Sequence, residues 1–126
     1  MIHRPTVLIA CSDPEGRKTL AQALTGCGLR TVYAPTVAGA KTVLAHRRVS
    51  LVFCASELAD GRFSDVLNAA QQVGRSVPVV VASRSDDTRQ YMEAMRSGAF
   101  DYVATPCRHD EVERIVAHAL HRTEAA

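Results

Sequence analysis

The chain has 126 residues, of which 47% are hydrophobic and 22% are charged, and its formal net charge is +2. Lysine and arginine are scattered and aromatic residues are few, which disfavours a nucleic-acid-binding surface. No apolar run approaches the ~20 residues of a membrane span. We therefore expect a single domain over residues 1–126 that buries about two-thirds of its unfolded surface and binds neither nucleic acid nor a membrane.

The cysteines are widely separated and form no CxxC pair. This spacing favours small buried side chains in a reducing compartment over a disulfide framework or a zinc site. The N-terminus also lacks the apolar core of a signal peptide. We therefore expect a cytoplasmic protein without a metal or a cofactor. The four cysteines are Cys11, Cys27, Cys54 and Cys107.

Short apolar runs predict strands at intervals along the chain. The first strand is predicted at Thr6–Ala10, and residues 30–34 predict a weaker second strand. A third strand is predicted at Leu51–Ala55 and a fourth at Val77–Ala82. Continuous apolar runs of this length are typical of strands that are buried on both faces of a parallel sheet.

Between the strands, apolar residues recur at the i, i+3, i+4, i+7 spacing of one helix face. Asp13 followed by Pro14 predicts the start of the first helix, and Thr36 predicts the start of a second helix over residues 36–46. Gly28 and Gly98 are placed where a helix-ending, left-handed residue is expected. The apolar stripes are Leu20, Ala23, Leu24 and Cys27; Phe63, Val66, Leu67 and Ala70; and Val112, Ile115, Val116 and Ala119.

The alternation of strands and helices, without a linker or a repeat, predicts a doubly wound α/β domain. In such a sheet the ligand crevice lies beyond the carboxyl ends of the strands, where the strand order reverses. The residues that directly follow the predicted strands are therefore the candidates for function.

Four segments of the chain, taken in register, resemble the receiver domain of bacterial response regulators. They are residues 7–14, 51–61, 77–83 and 97–106, the last of which contains Gly98-Ala99, Asp101-Tyr102 and Thr105-Pro106. The resemblance implies a flavodoxin-like (βα)5 fold. Its five-stranded parallel sheet would have the strand order 2-1-3-4-5, with helices on both faces.

The residues at the catalytic positions depart from the family pattern. In the family, an aspartate at the end of strand three accepts a phosphoryl group, an acidic pair after strand one holds a divalent cation, and a strand-five lysine contacts the phosphate. The matching residues here are Ala55, then Cys11 and Ser12, and finally Thr105. A methyl group is no nucleophile, and the single carboxylate of Asp13 is a poor magnesium site. The resemblance therefore implies a degenerate receiver, or pseudo-receiver, which keeps the fold for regulation and is not an enzyme.

Two positions that report phosphorylation in the family keep its residue types here, namely Ser83 after strand four and Tyr102 on strand five. The resemblance therefore implies a protein partner, or a homodimer, at the face formed by the fourth helix, the fifth strand and the fifth helix. We expect this face to run from Asp86 through Arg96, along Asp101 and across residues 110–122. Mixed charges suit a twofold contact, and they are carried by Arg89, Arg96, Arg108, Arg114, Asp101, Glu111 and Glu113.

Other interpretations stay open. Glu57 and Asp60, in the loop after strand three, are the nearest displaced phosphate acceptors, although solvated loop carboxylates are the simpler interpretation. A small molecule could bind in the crevice, which has lost the charged residues of the family, although no glycine-rich phosphate loop follows strand one. His118 and His121 have helical spacing for a metal, but the sequence offers no evident third ligand.

A thiol-based redox sensor is a further alternative. Cys11 and Cys107 both flank the expected carboxyl edge of the sheet. A cysteine near a helix N-terminus has a lowered pKa, which would activate Cys11. Cys54, adjacent to Ala55 on a strand, is expected to point to the opposite face of the sheet.

Overall fold

A computed structural model describes residues 4–73, 76–85 and 87–125, with side chains through residue 121. The strands are β1 Thr6–Ala10, β2 Arg30–Ala34, β3 Leu51–Ala55, β4 Glu57–Leu58, β5 Gly61–Arg62, β6 Val79–Ser83 and β7 Asp101–Ala104. The helices are α1 Pro14–Ala23, α2 Val37–His46, α3 Phe63–Gln72, α4 Thr88–Arg96 and α5 His109–Ala125. Within this part of the chain, no helix is both long and apolar enough to cross a membrane.

Five strands form one parallel sheet in the order β2-β1-β3-β6-β7. The two-residue strands β4 and β5 pair only with each other, as an antiparallel hairpin after β3. With this hairpin set aside, the order is the predicted 2-1-3-4-5, and the flavodoxin-like α/β fold is confirmed. Because all five strands run the same way, their carboxyl ends meet at one edge of the sheet.

The core has two layers, one on each face of the sheet. Helices α1 and α5 cover one face, and α2, α3 and α4 cover the other. Side chains alternate along each strand, so Cys54 packs into the second layer while Ala55 packs into the first, as expected. Almost every residue of the predicted apolar stripes is buried, with Cys27 partly exposed.

Two predicted boundaries are wrong by a few residues. The fourth sheet strand begins at Val79 instead of Val77, because Pro78 has no amide hydrogen and contributes only its carbonyl, which accepts from the Val52 amide at 3.0 Å. Helix α1 ends at Ala23, before Cys27. The chain turns there through Gly26, whose φ of 87° ends the helix before Gly28 is reached.

Candidate functional site

A cleft of about 380 Å³ opens at the carboxyl edge of the sheet. It brings together three of the positions predicted from the sequence, Cys11 after β1, Ala55 at the end of β3 and Thr105 after β7. The parallel arrangement of the sheet explains this meeting, since each residue lies at or just past the end of its strand. The cleft is lined by Cys11, Asp13, Gly16, Leu20, Ala55, Ser56, Glu57, Ala82, Arg84 and Thr105.

Ala55 presents a methyl group to the cleft, where it packs against the layer formed by α1 and α5. Its partly buried position is set by parallel pairing with Ala82 of β6. Two carboxylates, Asp13 and Glu57, line the same cleft, but both are engaged by arginine. At the end of β3 itself, the side chain that lines the cleft is a methyl group.

Asp13 serves as the N-cap of α1, as predicted. Its carboxylate accepts the amides of Glu15 at 3.3 Å and Gly16 at 3.2 Å. One oxygen also accepts a hydrogen bond from Arg84 Nη2 at 2.7 Å. Because the Arg84 side chain is 77% exposed, this ion pair adds little to stability. Its effect is to hold a guanidinium at the cleft.

The sequence interpretation missed Arg84. Its signal was positional, because Arg84 is the first residue after the last strand residue of β6 and so lies at the carboxyl edge. At Thr105, by contrast, the chain places a short neutral side chain in the cleft.

Ser12 is predicted at the site but does not line the cleft. Its hydroxyl donates to the Pro35 carbonyl and accepts from the Ala59 amide at 2.9 Å. These bonds join the loop after β1 to the loops that precede α2 and follow β3. The role of Ser12 in the structure is thus to fix the loops beside the cleft.

Asp60 is not a free loop carboxylate, contrary to the simpler expectation. It accepts the first two amides of α2, those of Val37 at 2.7 Å and Ala38 at 3.1 Å. These backbone hydrogen bonds hold the pKa of Asp60 below its usual range. The loop between β4 and β5 is therefore attached to α2. Glu57 is more open, with its side chain 71% exposed and 3.6 Å from Arg62 Nε.

The expected lowering of the Cys11 pKa is wrong. Burial raises the pKa of Cys11, and this outweighs the lowering effect of its backbone hydrogen bond. Burial likewise raises the pKa of Cys107 and, more strongly, that of Cys54 in the middle of the sheet. At neutral pH these thiols are protonated.

The side chains described between residues 4 and 121 contain no group of three or more His, Cys, Asp or Glu residues placed to hold a metal ion. His118 and His121 are both exposed on α5. Among these described side chains, none joins the two histidines as a third ligand.

A chain of hydrogen bonds, called the relay below, leads from the cleft to α4 through Ser56, Ser83, Ser85, Tyr102 and Gln90. The buried Ser83 hydroxyl oxygen accepts from the Ser85 amide at 3.1 Å and from the Ser56 hydroxyl at 3.4 Å. The Tyr102 hydroxyl donates to the Ser85 carbonyl at 2.8 Å and lies 2.7 Å from the Gln90 side-chain oxygen. The two retained positions, Ser83 and Tyr102, are thereby joined through one loop.

The surface of α4, β7 and α5 is called the output face below. Arg89, Arg96 and Arg114 are exposed there, while Asp101 and Glu111 are partly buried. None of these five takes part in an ion pair within 4.0 Å in the described chain. Two apolar side chains missed by the sequence analysis also lie on it, Tyr91 at 43% and Met92 at 42% exposure. Asp86, where this face was expected to begin, lies outside the described residues.

A second arginine bridge was also missed. Arg62 Nη1 and Nη2 lie 2.9 and 3.1 Å from the two carboxylate oxygens of Glu93 on α4. The hydrogen bond from Arg62 lowers the pKa of Glu93. This bidentate contact joins the hairpin beside the cleft to the helix of the output face.

Comparisons with known proteins give response regulators and their receiver domains. The transcriptional regulatory protein KdpE of Mycobacterium tuberculosis is 31% identical over 120 residues, which cover 95% of this chain and 53% of KdpE. The response regulator protein PilR of Pseudomonas aeruginosa is 28% identical over 119 residues, 94% of this chain and 27% of PilR. The chain thus spans between about a quarter and a half of these relatives. No family model matches it.

Solved structures give the same fold. The signal receiver domain of an HD domain-containing protein from Pseudomonas fluorescens matches with a TM-score of 0.87 at 22% identity, covering 98% of this chain and all of that one. A receiver domain protein from Methanospirillum hungatei matches with a TM-score of 0.85 at 15% identity, covering 98% of each chain. The solved structures show that the chain has the receiver fold. Together with the response regulators that align over nearly its whole length, they support a response-regulator receiver domain.

Proposed function

We propose that this receiver domain acts without phosphorylation, as a protein-interaction module of two-component signalling, and that it is not an enzyme. The observation that carries the proposal is the methyl group of Ala55 at the end of β3, in the cleft where phosphoryl transfer would need a nucleophile. A cytoplasmic location stays a prediction from the sequence.

The rest of the cleft supports the same proposal. Magnesium prefers several hard oxygen ligands, whereas the cleft offers a thiol at Cys11 and the carboxylates of Asp13 and Glu57, both of which are paired with arginine. Ser12 is used in loop contacts. Thr105 carries no charge to stabilise a phosphoryl group. On this proposal, the cleft has none of the three groups that phosphoryl transfer uses in the family: the aspartate nucleophile, the cation site and the lysine.

The output face supports binding as the remaining activity. Five of its charged residues have no ion-pair partner within 4.0 Å in the described chain, namely Arg89, Arg96, Asp101, Glu111 and Arg114. Tyr91 and Met92 add exposed apolar surface. Aromatic, methionine and arginine side chains are enriched in protein interfaces. The Ser83 and Tyr102 hydroxyls have hydrogen-bond partners within the chain, without a phosphate. We propose that it binds a protein partner or a second copy of this domain.

The missing cation site is tested by thermal unfolding with and without millimolar magnesium, at constant ionic strength. A cation that does not bind the native state cannot raise its melting temperature, so we expect no shift. The positive control is the double variant Cys11→Asp, Ala55→Asp, which adds two carboxylates to those of Asp13 and Glu57 at the cleft. A rise of several degrees in the unmodified domain would contradict the proposal.

The interface is tested by sedimentation equilibrium and by partner capture with the variant Asp101→Arg. We expect this charge reversal on β7 to weaken self-association or partner binding. The matched control is Glu15→Arg, the same kind of charge change on exposed α1. If the domain is monomeric at high concentration, and both variants capture every partner of the wild type, the output face is not the interaction site.

The cleft itself supports a second candidate function, the binding of a small molecule. Its volume of about 380 Å³ and the guanidinium of Arg84 at its lining would suit a small anionic ligand. Chemical-shift changes at Gly16 and Ala55 with a panel of carboxylates and phosphate would test it. Burial raises the pKa of Cys11, which weighs against the thiol-sensor alternative.

A further inference from the structure

A groove of about 580 Å³ lies between α1 and β2, at the opposite edge of the sheet from the output face. One wall is formed by Lys18 and Gln22 of α1, and the other by Thr31 and Tyr33 of β2. Arg4 also lines it. The groove takes no part in the cleft, the relay or the output face.

The backbone of β2 is open on the groove side. β2 is an edge strand that pairs only with β1. The Arg30 amide donates to Pro5 at 2.9 Å, and the Ala34 carbonyl accepts from Cys11 at 3.0 Å, so alternate residues from Arg30 onward face β1. The amides and carbonyls of Thr31 and Tyr33 therefore point outward, where a further strand would pair.

The charge of the groove is of one sign. Arg4 and Lys18 line it, and no carboxylate of the described chain does. The Arg17 guanidinium adds to this charge, 5.5 Å from the centroid of the exposed Tyr33 ring. A second copy of the same basic edge would be repelled, whereas an acidic segment would be attracted.

We propose that β2 accepts an extended acidic peptide segment of a partner protein. The segment adds to the sheet as a sixth strand, with its backbone paired to Thr31 and Tyr33. Alternate carboxylate side chains enter the groove beside Lys18 and Arg4. The domain then has two docking edges, one at β2 and one at the output face beside β7.

Fluorescence anisotropy with a labelled peptide of alternating glutamate and valine tests this proposal directly. We expect binding that weakens with salt, and a loss of about tenfold or more in affinity for Lys18→Glu. The matched control is Lys41→Glu, on α2 at the other face of the sheet, which should bind as the wild type does. A single-stranded oligonucleotide of equal charge should bind more weakly than the peptide.

Thr31→Pro separates strand addition from simple charge attraction. Proline removes an amide that points away from β1, so the sheet should keep its fold, as circular dichroism would show, while peptide affinity falls at least tenfold. Amide shifts of Thr31 and Tyr33 in the titrated wild type give the same information without a variant. Unchanged shifts at both amides, wild-type affinity in Lys18→Glu, or tighter binding of the oligonucleotide would each overturn the proposal.

Discussion

The cleft and the relay are direct neighbours at the carboxyl edge of the sheet, and they are built in different ways. The Thr105 amide on the cleft side donates to the Ser83 carbonyl at 2.7 Å, so a backbone hydrogen bond joins the two regions. The cleft presents small or neutral side chains at Cys11, Ala55 and Thr105. The relay is a connected set of polar groups in which the buried Ser83 hydroxyl has two partners.

If the domain acts without phosphorylation, as proposed, then the positions that report phosphorylation in the family are held together here without the groups that carry out the chemistry. Hydrogen bonds within the chain fix the relay, and the contacts of Ser12 and Asp60 fix the loops beside the cleft. A bound phosphate is not needed to complete either set. Substitutions should consequently disturb the relay side more than the cleft.

The largest effect is expected for Gly98→Ala, between α4 and β7. Gly98 has a φ of 102°, and a Cβ there would lie 2.6 Å from the Gln71 side-chain nitrogen. We expect a loss of about 1–3 kcal/mol in the free energy of unfolding, measured by urea denaturation.

The matched control is Gly16→Ala in the cleft, which lies in a helix and would place its Cβ 3.1 Å from Cys11 Sγ. We expect a change within about 1 kcal/mol, because the helical preference of alanine offsets the close contact. A larger loss of unfolding free energy for Gly16→Ala than for Gly98→Ala would contradict the expectation that the relay side is the more sensitive region.

Ser83→Ala and Tyr102→Phe probe the hydrogen bonds of the relay. Each removes a hydroxyl with two described partners, and we expect each to lower the free energy of unfolding by about 1 kcal/mol. Because both act on the Ser85 loop, the double variant should lose less than the sum of the two. Thr105→Val in the cleft, with an expected change below about 0.5 kcal/mol, is the control. Additive effects would show that the relay is not one unit.

The acid sensitivity of the cleft-side loops depends on Asp60. Its folded pKa lies below the usual value of 3.8 because the amides of Val37 and Ala38 donate to it. The resulting stability is fully present above that value, and it is lost as the pH falls through the lower folded pKa. We expect Asp60→Asn to flatten the decline of stability below about pH 4. The control is Glu15→Gln, since the Glu15 carboxylate has no described hydrogen bond, and it should leave the decline unchanged. Equal stability curves for the two variants would contradict this role of Asp60.

The smallest effect is expected for the rate at which an aromatic disulfide modifies the thiols of the native protein. Burial raises the pKa values of Cys11, Cys54 and Cys107 above the usual value of 9.0, so the native protein should react more slowly than free cysteine at neutral pH. Cys54 should react only on unfolding. Mass mapping identifies the modified residue, and rapid modification of Cys11 would restore the thiol-sensor alternative.

The sequence predicted the elements well, because their signals are local. Apolar runs marked three of the five sheet strands, and residues 30–34 gave a weaker signal for another. Asp13 and Thr36 marked the first turns of α1 and α2. The strand order came from the family resemblance, since periodicity carries no information on which strands are neighbours. Pro78 shows how one missing amide hydrogen shifted a boundary that hydrophobicity alone could not place.

The candidate site was predicted in part. Cys11, Ala55 and Thr105 were identified by the family resemblance, and each lies at or just past the end of a strand. Ser12 and Asp60 were misjudged, since their partners lie more than twenty residues away, in loops whose approach only the fold determines. Arg84 could have been found by its place after β6, whereas the Arg62 bridge to Glu93 required the packing of the hairpin against α4.

The most direct test of the account is the intact mass of the domain after incubation with acetyl phosphate and magnesium. With carbon at Ala55 and no charge at Thr105, we predict that the mass stays that of the unmodified chain. A stoichiometric gain of one phosphoryl group that hydroxylamine removes would show an acyl phosphate. That result would contradict the proposal that this receiver acts without phosphorylation.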